Sequence, residues 1–148
     1  FLKKIVFVCT GNTCRSSMAE ALFKKMLDDK GKSKEFKVSS CGTHAIFGLP
    51  ASENAIQVMK DEGIDLSGHR SRPLTEDILT ADLVLTMTLS QKEYILSIFP
   101  EMRGKVFTLG EYAGDGREIP DPIGMDTNFY RMVAREIKAK LQKIITKL

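Results

Sequence analysis

At 148 residues with 43% hydrophobic content, the chain can bury one sizeable core but not several, and no apolar stretch is as long as a membrane span. A formal charge of +3, with acidic and basic residues interspersed, lacks the basic stripe of a nucleic-acid footprint, and the lysines near the C-terminus read as the solvated face of a helix. Three cysteines, an odd count, argue against a disulfide framework and leave reactive, metal-binding or buried thiols.

Residues 3 to 8, KKIVFV, form a β-branched and aromatic run too continuous for a half-exposed strand, as expected of a central strand covered on both faces. The turn CTGNTCRS follows. From residue 15 to about residue 30, Met18, Leu22 and Met26, with Ala19, Phe23 and Leu27, recur at helical spacing, and Gly31 stands just past the end. The pattern then repeats: FKVSS as a strand, residues 52 to 62 as a helix stopped by Gly63, and residues 75 to 80 as a short helix. DLVLTM is the next strand, followed by a helix from Ser90 whose spacing to Glu93 predicts a capping box. KVFTL makes a fourth strand. After a polar loop containing IPDPIG, a last helix carries Tyr130, Val133, Ile137, Leu141, Ile144 and Leu148 on one side.

Strands alternating with helices imply an α/β fold with a parallel sheet and right-handed crossovers, in a single domain over residues 1–148. Ligands of open sheets bind outside the carboxyl ends of the strands, so the loop after the first strand is the expected site. No secretory leader pattern is visible, which predicts a cytoplasmic protein. Neither membrane nor nucleic acid is an expected partner. No zinc or other metal is expected, because there is no CxxC and both histidines are distant in sequence from Cys9 and Cys14.

Cys9 ends the first strand, at the positive end of the following helix, where a ring of backbone N–H groups favours a thiolate. The same N–H groups, from Thr10, Gly11, Asn12, Thr13, Cys14 and Arg15, suit an anion, and Gly11 is expected to supply the backbone freedom that lets them converge. The Arg15 guanidinium can hold two phosphate oxygens at once. Thiolate attack on a phosphate ester also needs an acid for the departing oxygen. Asp121, fixed between two prolines, is the candidate, although an Asp-Pro pair standing alone is ordinarily just a turn. Cys14 has two readings, a packed small hydrophobe or a redox partner that captures an oxidised Cys9 as a disulfide.

With CTGNTCRS near the start and DPIG before the last helix, the chain resembles the low-molecular-weight protein tyrosine phosphatase family over essentially its whole length. The resemblance implies a three-layer α/β fold with a four-stranded parallel sheet of order 2-1-3-4, and a cofactor-free monomer acting on phosphorylated proteins. It implies that Cys9 attacks phosphorus, that Arg15 and the loop amides stabilise the transition state, and that Asp121 acts first as acid and then as base toward water. It also implies that Asn12, Ser16, Ser40 and His69 shape the loop through hydrogen bonds. Thr13, where phosphotyrosine-preferring members often carry isoleucine, and Ile123 with Gly124, where they often carry an aromatic pair, are shared with the family's arginine phosphatases. Phosphoarginine is therefore the alternative substrate. Ile46 and Phe47 are candidate apolar walls for a phenyl ring.

Two rivals of other kinds follow from the same loop. An arsenate reductase would need relay cysteines near residues 80 to 90, where the chain reads TADLVLTMTLS. A non-enzymatic anion-binding or redox-sensing module would use Cys9 and Cys14 only as a switch.

Overall fold

The computed structural model describes residues 2–148. Four parallel strands form one sheet in the order β2-β1-β3-β4, with β1 at Lys3–Cys9, β2 at Phe36–Gly42, β3 at Leu83–Thr86 and β4 at Val106–Thr108. Its helices are α1 (Arg15–Asp29), α2 (Glu53–Asp61), α3 (Leu89–Ile98), α4 (Leu109–Ala113) and α5 (Thr127–Ile145), with 3-10 turns at Glu76–Thr80 and Pro100–Met102. No helix among the described residues is long and apolar enough to cross a membrane.

The continuous apolar run of β1 is explained by its position. Ile5 and Phe7 face a core built with α1, α2 and α5, while Val6 and Val8 face a smaller second core that includes Ile95 of α3 and Ile78, so the single core expected from the chain length is divided in two by the sheet. In the first core Phe7 meets Phe23 edge to face, ring centroids 5.7 Å apart, worth about 0.5–1.5 kcal/mol beyond the area buried. The three predicted apolar positions at the start of α1, Met18, Ala19 and Leu22, are all buried there. β1 lies between β2 and β3, so the sheet order reverses beside the carboxyl end of β1.

Three local expectations are corrected. The capping box of α3 is formed by Thr88 and Gln91, not by Ser90 and Glu93: β3 stops at Thr86, and Gln91 turns back to the start of the helix. The polar stretch after β4 begins with a helical turn, α4, closed by its own box between Thr108 and Glu111. α5 ends at Ile145, so Leu148 packs on the core from beyond the helix.

Candidate active site

The loop from Cys9 to Arg15 leaves β1 and enters α1 with no side-chain cap on the helix, so the first N–H groups of α1 remain open to an anion. Among the described residues, the N–H groups of Gly11, Thr13 and Cys14 find no acceptor. Asn12 donates its N–H to Cys9 Sγ at 3.3 Å, and Ser16 Oγ lies 2.9 Å from the same sulfur. Cys9 is almost wholly buried at the base of the loop.

The residue that bends the loop is Asn12, with φ at 58°, and not Gly11, which is absent from the positive-φ residues and has room for a side chain. Asparagine tolerates this left-handed conformation, and here its side chain is fully engaged. The Asn12 amide donates to Ser16 Oγ at 2.7 Å and Ser40 Oγ at 2.9 Å, and Oδ1 accepts the Arg72 N–H at 2.9 Å. The Asn12 carbonyl accepts from His69 Nε2 at 2.7 Å, and Ser40 Oγ donates to Glu20 at 2.5 Å. Asn12, Ser16, Ser40 and His69 are thus brought into one network around the loop. Arg72 and Glu20 complete it without any signature in the sequence.

Arg15 is buried although charged. Its Nη1 donates to the Ile119 carbonyl at 3.0 Å, its Nη2 lies 3.7 Å from Asp121 Oδ2, and its Nε is buried without a partner among the described residues. A buried unpartnered N–H costs free energy unless a ligand accepts it, and this one belongs to the cation beside the open amides. The Asp121 side chain is half exposed, with Oδ1 accepting the Ile123 N–H at 3.1 Å. Thr10, Arg15, Gln91, Ile119, Pro120 and Asp121 line a cavity of about 580 Å³ that borders the loop at Thr10 and Arg15 and extends between the start of α3 and the Asp121 loop.

Burial, and then the charge of Cys9, push the Cys14 thiol up to about 11. Thr13 is half-buried, its carbonyl tied to the N–H of Ser52 at the start of α2. Ile46, Phe47 and Ile123 are exposed. Phe47 lines a different cavity, over β1 and β2.

Two further residues set the geometry unannounced by the sequence. Buried Gln91 accepts the N–H groups of Met87 at 2.9 Å and Thr88 at 3.0 Å, and donates to Thr10 Oγ1 at 3.1 Å, joining α3 to the loop. Gly42 packs so closely that a Cβ there would collide with the Thr10 carbonyl and stand 3.0 Å from Asn12 N. Its place at the end of a strand is the one signal that could have marked such a close approach.

The sequence profile of the family described as low molecular weight phosphotyrosine protein phosphatase matches residues 4–148. A protein-arginine-phosphatase of Bacillus subtilis (strain 168) is 41% identical over 146 residues, covering 97% of this chain and 95% of the relative. A crystal structure of a low molecular weight protein tyrosine phosphatase from T. tengcongensis is 42% identical, with a TM-score of 0.94 and 99% of each chain covered. A structure of the YwlE arginine phosphatase, a cysteine-to-serine variant with its active-site serine phosphorylated, is 40% identical with a TM-score of 0.93, covering 98% of this chain and 95% of that one.

Proposed function

The chain belongs to the low molecular weight phosphotyrosine protein phosphatase family, and from that premise we propose that it hydrolyses phosphotyrosine on proteins through a cysteinyl-phosphate intermediate. One observation carries this reading: Cys9 lies beneath a loop of open N–H groups, beside an arginine with an unpartnered Nε, with a carboxylate from a distant loop 3.7 Å from that arginine.

In the first step the Cys9 thiolate attacks phosphorus. The S–P bond forms as the ester P–O bond breaks, and protonated Asp121 gives its proton to the leaving oxygen. Ser16 Oγ and the Asn12 N–H support the thiolate while Arg15 and the loop N–H groups take the equatorial oxygens. In the second step Asp121 takes a proton from water, the water oxygen attacks phosphorus, and the S–P bond breaks to release phosphate and restore the thiolate. The phosphorylated serine in the YwlE variant supports a covalent step at the corresponding position.

Phosphoarginine is the second reading, favoured by Thr13 in the loop and Ile123 and Gly124 after Asp121-Pro122, which the family resemblance associates with arginine phosphatases, and by the 41% identity to a protein-arginine-phosphatase of Bacillus subtilis. A nucleophilic thiol works where thiols stay reduced, so the cytoplasm is the compartment we propose. All the groups named lie in one domain, so a monomer suffices. Measured kcat/KM values for phosphotyrosine and phosphoarginine peptides of matched sequence test the assignment. Higher kcat/KM on phosphotyrosine supports the first reading, higher kcat/KM on phosphoarginine replaces it with the second, and no hydrolysis of either overturns both.

A further inference from the structure

The sheet has a second cavity, of about 180 Å³, on the face opposite α1 and over β1 and β2. The strand register pairs Val6 with Ser39 and Val8 with Cys41, which places Val6, Ser39 and Cys41 on its floor. Ile78 and the exposed ring of Phe47 add apolar wall. Burial pushes the Cys41 thiol up to about 12, which makes it wall and not a nucleophile at neutral pH.

The polar groups in this cavity are unevenly matched. Lys4 and Asp77 satisfy each other at 3.2 Å, and Lys4 also donates to Thr80 at 2.5 Å. Arg72 has no such partner: its Nε and Nη2 reach only the Ser40 carbonyl, at 3.4 and 3.2 Å, and no carboxylate among the described residues lies within 4.0 Å of it. Ser39 Oγ is buried with no hydrogen-bond partner among the described residues. An unneutralised guanidinium and an unpartnered hydroxyl on an apolar wall are complementary to a small carboxylate with a flat apolar body, the guanidinium fork matching the carboxylate.

Arg72 also reaches the phosphate loop. Its main-chain N–H holds Asn12 Oδ1, and its side chain holds the carbonyl of Ser40, whose hydroxyl accepts from the Asn12 amide. We propose that this cavity is a regulatory site for a small aryl carboxylate, whose binding draws the Arg72 guanidinium from Ser40 and loosens Asn12, weakening the hold of the loop on an oxyanion. Coupling of this kind is reciprocal, so phosphate at the loop weakens the carboxylate by the same factor. Binding here is independent of the reaction proposed above, and its readout needs no substrate.

The test uses sodium benzoate as probe, titrated into the full chain with and without saturating inorganic phosphate and followed by amide NMR. Saturable shifts are expected at Ser39, Cys41, Phe47 and Ile78 in both titrations, with benzoate weakened several-fold, but not excluded, by phosphate. Ser39→Ala, whose hydroxyl bonds nothing, is expected to keep the fold and weaken benzoate about fivefold, and Arg72→Leu to weaken it further. Shifts confined to residues 9–15, full exclusion by phosphate, absence of saturable shifts, or unchanged benzoate affinity in Ser39→Ala would each overturn the proposal.

Discussion

Asp121 Oδ2 stands 3.7 Å from Nη2 of Arg15, while Nη1 of the same guanidinium holds the carbonyl of Ile119 at 3.0 Å. The Arg15 cation therefore clasps the loop that carries Asp121, through one contact that depends on the carboxylate charge and one that does not. Gly110 lets the segment that leads toward that loop fold back on α4, because a Cβ there would collide with the Arg117 carbonyl, and its own carbonyl accepts the N–H groups of Asp115 and Gly116.

Asp121→Asn should consequently keep the loop in place and remove only the proton. Turnover of phenyl phosphate should fall by about 10²–10⁴-fold, and that of para-nitrophenyl phosphate, whose leaving group needs little protonation, should fall far less. Steady-state kinetics across a leaving-group series checks this. Equal losses along the series would remove Asp121 from the acid role.

Cys14 tests the redox reading. As a thiol with its pKa raised to about 11, it is protonated in the resting enzyme. When peroxide converts Cys9 to the sulfenic acid, the charge that contributes to this shift is lost, and Cys14 thiolate can attack the Cys9 sulfur, forming S–S while the hydroxide leaves as water. Closure should speed up as pH rises, by up to about tenfold per unit while the pH is below the Cys14 pKa. Peroxide-treated wild type should regain activity with dithiol, and Cys14→Ala largely should not. Equal recovery of the two, or no Cys9 to Cys14 linkage by mass spectrometry, would return Cys14 to a packing role.

Gln91 should matter more than the hydroxyl it touches. Thr10→Val removes one hydrogen bond and should cost about 0.5–1.5 kcal/mol. Gln91→Ala also leaves the N–H of Thr88 without its acceptor, while that of Met87 keeps the Val8 carbonyl, and should cost about 1–3 kcal/mol. Denaturant unfolding of both variants gives the comparison, and equal costs would contradict it.

These residues also mark what was legible in the sequence. The β1 run, the loop and α1 were readable because their signals are local: a continuous apolar strand, a C-x5-R spacing and a helical repeat. Asp121 was readable only in conjunction with that loop, since its partner lies far away in the chain. Two capping boxes competed at α3, Thr88 with Gln91 and Ser90 with Glu93, and the winner is fixed by where β3 stops: the Met87 N–H still reaches the Val8 carbonyl, and the Thr88 N–H is left in need of Gln91. The left-handed position fell to Asn12 and not to the adjacent glycine because only a side-chain amide can also bridge Ser16, Ser40 and Arg72. Gly42, Glu20 and Arg72 act through contacts made by the fold, which no spacing announces.

Thr13→Ile should shift selectivity from phosphoarginine toward phosphotyrosine, since the larger apolar side chain leaves less room for a guanidinium and more surface for a phenyl ring. The ratio of the two kcat/KM values, measured on peptides of matched sequence, is the readout. An unchanged ratio would place specificity elsewhere, with the loop from Thr43 to Leu49 as the next candidate.

Rapid acid quench of the working enzyme, followed by mass spectrometry of its peptides, is the most direct measurement of the central claim. With para-nitrophenyl phosphate, the Cys9 peptide should gain one phosphoryl group during turnover and lose it when substrate is exhausted, and Cys9→Ala should neither carry the group nor turn over substrate. Turnover without any phosphoryl group on Cys9, or Cys9→Ala retaining activity within tenfold of wild type, would contradict a cysteinyl-phosphate mechanism.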